Sequence, residues 1–311
     1  MKRKINRVGI NTLTVSLPSK WVQKYGIKQG DELDVTAEGP IINVSAKAEL
    51  PIKSIKINLE KSEYSSISSH PNMIRTIIGN LYKAGYDQIE IFYSDKNILK
   101  QIKERINLMM GMEIIKSSEK FCIIKRILKE DPEEFDGVLK KVFQIIINES
   151  KEIFQEFANN KTISKENTEN FRISIEKLCD FLKRMITKNT SWNSVKIKQN
   201  HIIVRTLEKI AREYIHLNNY IRDNKIKLSK QAQEFFDETN EMLNSFYKHH
   251  YKFDLNDSYK QASKKNKLIY NKGYKLLEKC SKKETIVIHH LLNIVRRTWD
   301  MEGPLISLRL K

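Results

Sequence analysis

Apolar and polar positions alternate over the first fifty residues, then give way from about residue 131 to helical spacing that lasts to the end of the chain. In Thr12-Leu13-Thr14-Val15-Ser16-Leu17 every second position is apolar, which predicts a strand with one buried face. Pro18 ends it. Proline at the first position of a helix loses no hydrogen bond, so a short helix is expected from Pro18 to Tyr25, stopped at Gly26. Two further short strands, Leu33 to Val35 and Ile41 to Val44, flank Ala37-Glu38-Gly39-Pro40, where Gly and Pro suit a tight reversal. Fifty residues bury little surface, so this unit is expected to complete its core by dimerising.

Residues 51–130 change style. Ile55 to Leu59, Ile89 to Phe92, Met112 to Ile115 and Phe121 to Ile127 are expected as strands, and Met73 to Tyr82 and Asn97 to Leu108 as helices. The order predicts a small α+β domain. Gly85 and Gly111 fall just after the two helices, where a left-handed residue commonly terminates them. Beyond residue 131, Ile203, Leu207, Ile210, Tyr214, Leu217 and Ile221 step by alternating fours and threes, the spacing of a bundle seam. Val287, Leu291, Ile294, Thr298, Met301, Leu305 and Leu308 repeat it, with Pro304 expected to kink or shorten the last helix. Four more helices are expected over Phe135 to Phe157, Phe171 to Met185, Ala232 to Tyr247 and Tyr259 to Cys280.

These six helices suggest two copies of three, 131–226 and 227–311. A shift of 84 residues lays Leu207 on Leu291, Ile210 on Ile294, Arg212 on Arg296 and Leu217 on Met301. It also lays Phe171 on Leu255 and Ile175 on Tyr259. The expected fold class is therefore α+β and multidomain, with domains at 1–50, 51–130 and 131–311.

Composition narrows the class. With 311 residues, 40% hydrophobic and 30% charged, and only 10 Gly and 6 Pro, the chain is expected to fold into two or three helix-rich domains. No run of eighteen uncharged apolar residues occurs, and MKRKINRVG has no apolar segment behind its basic residues, so neither a membrane span nor a signal peptide is expected. Cys122, Cys179 and Cys280 are odd in number and lack CxxC spacing; they are expected as reduced thiols in a cytoplasmic protein. The net charge of +18 is spread along the chain, at +3, +5, +4 and +6 over 1–50, 51–130, 131–228 and 229–311. Such a balance attracts polyanions without choosing among them.

The string RVGINTLTVSLPSKWVQKYGIKQGDELDV, residues 7–35, is more specific. Gly9 with Asn11-Thr12 before the strand, Leu17-Pro18-Ser19-Lys20-Trp21 entering the helix, and Gly30-Asp31-Glu32 before the next strand resemble the swapped-hairpin DNA-binding domain of the AbrB and MazE type. The resemblance implies a homodimer in which two chains interleave into one β-barrel and present basic side chains to double-stranded DNA. The candidates are Lys2, Arg3, Lys4 and Arg7, which could neutralise phosphate or read base edges, together with Asn11, Thr12 and Lys20. Lys24 is a weaker candidate, and Trp21 and Val22 are expected to pack the helix onto the barrel.

The helical half resembles PhoU, a family of phosphate-uptake regulators with two tandem three-helix repeats. The order of an AbrB-like part, a small α+β part and a PhoU-like part is similar to archaeal proteins described as phosphate uptake regulators. In that family the third helix of each repeat carries an acidic, metal-binding ERIGD-like sequence. Here Leu207-Glu208-Lys209-Ile210-Ala211-Arg212 keeps only Glu208, and the second copy has Leu292 and Arg296 in the acidic places. A cation in place of a carboxylate repels a divalent metal, so no metal site is expected. Glu176 and Asp180 form a common ExxxD pair. Arg212 and Arg296 could instead bind an oxyanion such as phosphate, the alternative for Arg212 being a surface ion pair with Glu208 or Glu213.

The adjacent pairs His249-His250 and His289-His290 point about 100 degrees apart on a helix and are expected in surface or capping roles. No HExxH, GxSxG, GxxxxGK or GxGxxG is present, so neither an enzyme nor a cofactor is expected. The expected function is DNA-binding transcriptional regulation, linked by the family resemblance to phosphate uptake or homeostasis, with the helical half as sensor or partner-binding module. The alternative is an adaptor that contacts a phosphate-transport or signalling protein and uses its N-terminal barrel only to dimerise. An antitoxin would need a short disordered tail, whereas this chain has a large helical half.

Overall fold

The computed structural model describes residues 2–46, 52–60, 72–159, 161 and 163–310. Two compact units emerge, Met1–Ile52 and Lys53–Lys311. The domain boundary expected after residue 50 lies outside the described residues.

In the first unit, β1 (Ile5–Val8) pairs antiparallel with β2 (Thr12–Val15), and β3 (Leu33–Glu38) with β4 (Ile41–Ala46). Each hairpin is its own two-stranded sheet. Gly9 (φ 71) and Gly39 (φ 56) supply the left-handed backbone that the two tight connections need. Between the hairpins lies α1 (Ser19–Tyr25), ended by Gly26 at φ 62. Pro18 stands just outside the helix, not at its first position as expected. It is extended at ψ 124, and its carbonyl accepts the N–H groups of Trp21 and Val22.

The second unit begins with a four-stranded mixed sheet, β5 (Ser54–Asn58), β6 (Gln88–Phe92), β7 (Met112–Ser117) and β8 (Phe121–Arg126), in the order β5-β6-β8-β7. Only β5 and β6 are parallel, as a chain returning through a helix requires. Helices α2 (Met73–Lys83) and α3 (Lys96–Ile106) cover the sheet, burying Ile74, Ile78, Tyr82, Ile98 and Ile102 against Ile89, Ile91 and Ile124. Gly85 takes positive φ just after α2, where termination was expected, whereas α3 already ends at Ile106 and Gly111, also at positive φ, instead precedes β7.

The helical part runs α4 (Phe135–Ala158), α5 (Lys165–Lys188), α6 (Ser194–Asn224), α7 (Lys230–Tyr251), α8 (Leu255–Asn266), a π-helical turn at Lys267–Gly273, α9 (Tyr274–Lys279), α10 (Lys282–Asp300) and α11 (Glu302–Arg309). The two seams are buried, Ile203 to Ile221 on α6 and Val287 to Leu305 across α10 and α11. The last helix breaks at Met301, and Pro304 sits in the first turn of α11, where its missing N–H costs nothing. Both halves of this region feed one hydrophobic core. The 84-residue correspondence is uneven in burial, because Phe171 and Ile175 are buried while Leu255 and Tyr259 are exposed.

Arg184 of α5 ties the sheet to the helices. Its guanidinium is fully buried and every nitrogen is used: Nη1 donates to the carbonyls of Tyr82 (3.0 Å) and Tyr86 (2.7 Å), Nη2 to Asp87 (2.7 Å), and Nε to Glu130. The Tyr82 ring lies 5.0 Å from the guanidinium carbon. Asp87 also receives Lys188 Nζ (2.7 Å), Arg126 Nε (3.2 Å) and the N–H of Lys53 (3.1 Å). Burial alone would raise the Asp87 carboxyl, but the hydrogen bonds of Lys188 and Lys53 and the charges of Lys188 and Arg126 hold it below its usual range. A second link joins Arg105 of α3 to Glu176 and Asp180 of α5. Gly79 is required there, since a Cβ on it would lie 2.4 Å from Arg105 Nη2.

Polar bonds also join helix to helix. Glu213 of α6 accepts from His290 Nδ1 (2.8 Å) and Arg297 Nη2 (3.0 Å) of α10. His249 is buried, with Nε2 at 3.0 Å from Glu302 Oε1 and 3.1 Å from Ser258 Oγ. His250 is buried as well, its pKa pushed down to about 4 by burial and by the charges of Arg309 and His249. This pair is therefore interior, contrary to the surface or capping role expected, because the last turn of α7 is overlaid by α8 and α11.

Removing one member of a buried ion network strands its partners, so Arg184→Ala should lose about 3–5 kcal/mol in urea unfolding, with Arg184→Lys recovering only part of it. Burial would raise the Glu213 carboxyl, but the hydrogen bonds of His290 and Arg297 and their charges bring it down to about 2 from an ordinary 4.5. Its contribution is thus complete above pH 4.5 and fades as pH falls toward 2. Glu213→Gln should flatten the acid limb of a stability–pH curve in that window and leave its shape at neutral pH unchanged.

Candidate nucleic-acid interface

The DNA-contact candidates all lie in the first unit and all are exposed: Lys2, Arg3 and Lys4 precede β1, Arg7 is on β1, Asn11 and Thr12 lie at the hairpin turn and the start of β2, and Lys20 is on α1. They do not share one face. The register pairs Arg7 with Leu13 and Ile5 with Val15, and it pairs Val8 with Thr12 and Asn6 with Thr14. Arg7 consequently stands on the face of Ile5, Leu13 and Val15, while Thr12 stands on the opposite face with Asn6 and Thr14.

Local bonds explain the motif residues. The N–H of Lys28 donates to Asp31 Oδ2 at 2.7 Å and the N–H of Asp31 donates to the carbonyl of Lys28 at 3.2 Å, closing a turn around Gly30 at φ 94. Gly30-Asp31 is thus a turn device that aims the chain into β3. On α1, the rings of Trp21 and Tyr25 meet at 5.7 Å and Lys24 Nζ lies 5.3 Å from the Tyr25 ring centre, so Trp21 packs along the helix and is half-buried.

Charge and apolar surface are both unbalanced. The first thirty residues contain seven Lys and Arg and no Asp or Glu. This run adds Lys24 and Lys28 to the set; the absence of acids between positions 2 and 30 is the signal that marks them. None of the unit's side chains is buried among those described, and Ile5, Val8, Leu13, Val15, Val35, Ile41 and Ile42 are all more than half exposed. Alternating strands that leave their apolar positions in water are half of a core.

Residues 7–42 match a known family model. It is described as antidote-toxin recognition MazE, bacterial antitoxin. The MazE-type segment runs from within β1, through β2, α1 and β3, to the start of β4, and a domain of this MazE/AbrB-like kind is consistent with a DNA-binding regulator. No curated protein and no solved structure matches the chain.

The remaining candidates sit in the second unit. Arg212 is exposed and pairs with Glu208 at 2.5 Å, while Glu213 turns away from it to His290 and Arg297. Arg296 is half-buried on α10 and does not line the cavity that Arg212 lines. Glu176 and Asp180 are occupied by Arg172, Arg105, Lys83 and Lys183, which accounts for these carboxylates without a metal. Among the described residues, no three His, Cys, Asp or Glu side chains are placed to hold a metal ion, and no helix is long and apolar enough to cross a membrane.

Gly26→Ala forces a side chain into the left-handed region at the end of α1 and should lower the unit's stability by about 1 kcal/mol. Faster hydrogen exchange at the Trp21 and Val22 amides would register the loss.

Proposed function

We propose that the chain is a DNA-binding transcriptional regulator that dimerises through its MazE-type unit, with no catalytic activity of its own, and that its helical half senses an effector or binds a partner. The observation that carries this reading is that a run of seven cations without a carboxylate, over residues 1–30, overlaps the MazE-matched segment 7–42, whose hairpins leave apolar side chains uncovered. A second copy supplies matching apolar faces, and closing the two pairs of hairpins into one barrel doubles the cation set. Each phosphate neutralised by Lys or Arg releases counterions, so binding should weaken steeply with salt.

The link to phosphate uptake or homeostasis rests on the resemblance of the helical half to the PhoU family. Regulation would follow from linkage: an effector that binds the helical half more tightly in one of two states must change DNA affinity by the same factor.

Fluorescence anisotropy of the full chain on its own upstream duplex and on a scrambled duplex tests the proposal. Tighter binding to the upstream duplex is expected, with Arg3→Ala plus Arg7→Ala costing about tenfold or more at moderate salt. Equal weak binding to both duplexes would instead favour the adaptor role. Sedimentation should show a dimer that Leu13→Asp with Val35→Asp converts to monomer; a wild-type monomer at tens of micromolar would contradict the barrel.

A further inference from the structure

The second unit holds a cleft with far more positive than negative charge. Arg75 and Lys83 of α2, Arg105 of α3 and Arg172 of α5 reach one lobe of about 350 Å³. Lys183 of α5 and Arg205 and Lys209 of α6 reach a second lobe of about 380 Å³. The lobes share Asn80, Lys83, Glu208 and Arg212 as a common wall and so lie side by side. Eight cations thus line the cleft with three carboxylates, Glu176, Asp180 and Glu208, and two of the cations, Arg75 and Arg172, also pair with Glu104 (3.8 Å) and Glu169 (2.6 Å), which leaves an excess of about three positive charges.

Those carboxylates are each engaged more than once. Asp180 meets Arg105, Lys183 at 3.3 Å and Lys83 at 3.7 Å, and Glu208 meets both Lys183 and Arg212 at 2.5 Å. Arg205 and Lys209 are exposed and have no carboxylate partner among the described residues. They lie four residues apart on the face of α6 that also carries His201 and Arg212. Burial and the charges of Lys183, Arg205 and Lys83 hold the His201 imidazole below its ordinary value, so the ring senses the same positive field.

The chemistry of the walls narrows the ligand. No Phe, Tyr, Trp, Leu, Ile, Val or Met lines either lobe, so nothing there would recognise a nucleobase or an apolar body. Five of the eight cations are arginines, whose forked donors fit tetrahedral oxyanions. A single phosphoryl group brings about two negative charges at neutral pH and would leave part of the excess unmatched. Two lobes side by side suit a ligand with a charged group for each.

We propose that this cleft binds an oligophosphate, a chain of two or more phosphoryl groups, either free or as the tail of a larger molecule. None of its residues belongs to the first unit, so the site does not depend on the DNA-binding reading.

Calorimetry on the full chain at constant ionic strength tests it, with sodium tripolyphosphate, orthophosphate and ATP as probes. Tripolyphosphate should bind at least about tenfold more tightly than orthophosphate, and Arg205→Ala with Lys209→Ala should cost about tenfold or more, as expected for two lost charge-assisted contacts. Both positions are exposed and unpaired, so the double variant should keep the wild-type urea midpoint. Lys282→Ala with Lys283→Ala, an exposed pair at the start of α10, should change nothing. On binding, the His201 pKa followed by NMR should rise. ATP binding as tightly as tripolyphosphate would assign the site to a phosphate tail as readily as to a free chain, and weaker ATP binding would assign it to the free chain. The proposal fails if tripolyphosphate does not bind, if orthophosphate binds equally well, or if the double variant is unaffected.

Discussion

A guanidinium buried out of reach of water is tolerated only when its nitrogens are matched, and Arg184 meets that condition with acceptors drawn from the end of α2, the residues leading into β6 and the segment after β8. The positions of α2, the sheet and α5 are therefore interdependent. A small displacement of the sheet would leave Arg184, Asp87 and Glu130 partly unpaired, whereas sliding two apolar faces costs much less. The apolar contact beside it is modest, with Phe181 packed against both cores. Arg105 with Glu176 and Asp180 makes a second polar attachment, which explains why 53–311 holds together as one unit. Cation-rich α2, α5 and α6 are thereby set around one cleft.

The same reasoning gives the opposite result in the first unit. There the strands are short, the charges are solvated and apolar side chains stay in water, so nothing within a single copy over-determines the fold. A domain of this size gains its core from a partner, and the MazE-type match to residues 7–42 points to a second copy of the same segment. In the proposed dimer the apolar side chains turn toward the partner, while Lys2, Arg3, Lys4 and Lys20 lie outside the strands and are left for phosphate.

Local signals carried most of the fold. Gly26 and Gly85 sit in the left-handed region at helix ends, and the seams of α6 and α10 are buried where their spacing placed them. Helix ends moved by several residues because capping residues such as Ser164 and Ser229 lie outside the apolar periodicity. What the one-dimensional pattern hid was long-range polar pairing. Glu176 and Asp180 read as an ordinary ExxxD until Arg105, about seventy residues away, is placed on them. His249 and His250 read as surface residues because nothing local foretells that α11 and its Glu302 will cover them. At the candidate interface the cations were legible as a run, but the split of Arg7 and Thr12 onto opposite faces required the strand register. Arg212 and Arg296 align in sequence, yet only Arg212 reaches the cleft, and its neighbours Arg205 and Lys209 fall on His289 and Asn293 in the second copy.

DNA held by the first unit alone should protect that unit's amides from exchange and no others. Hydrogen–deuterium exchange of the full protein with and without its upstream duplex measures this directly. The account predicts slowed exchange across residues 2–28 and no change along α5 and α6. Protection centred on Lys183, Arg205 and Lys209, with residues 2–28 unaffected, would contradict it and place the polyanion site in the helical half.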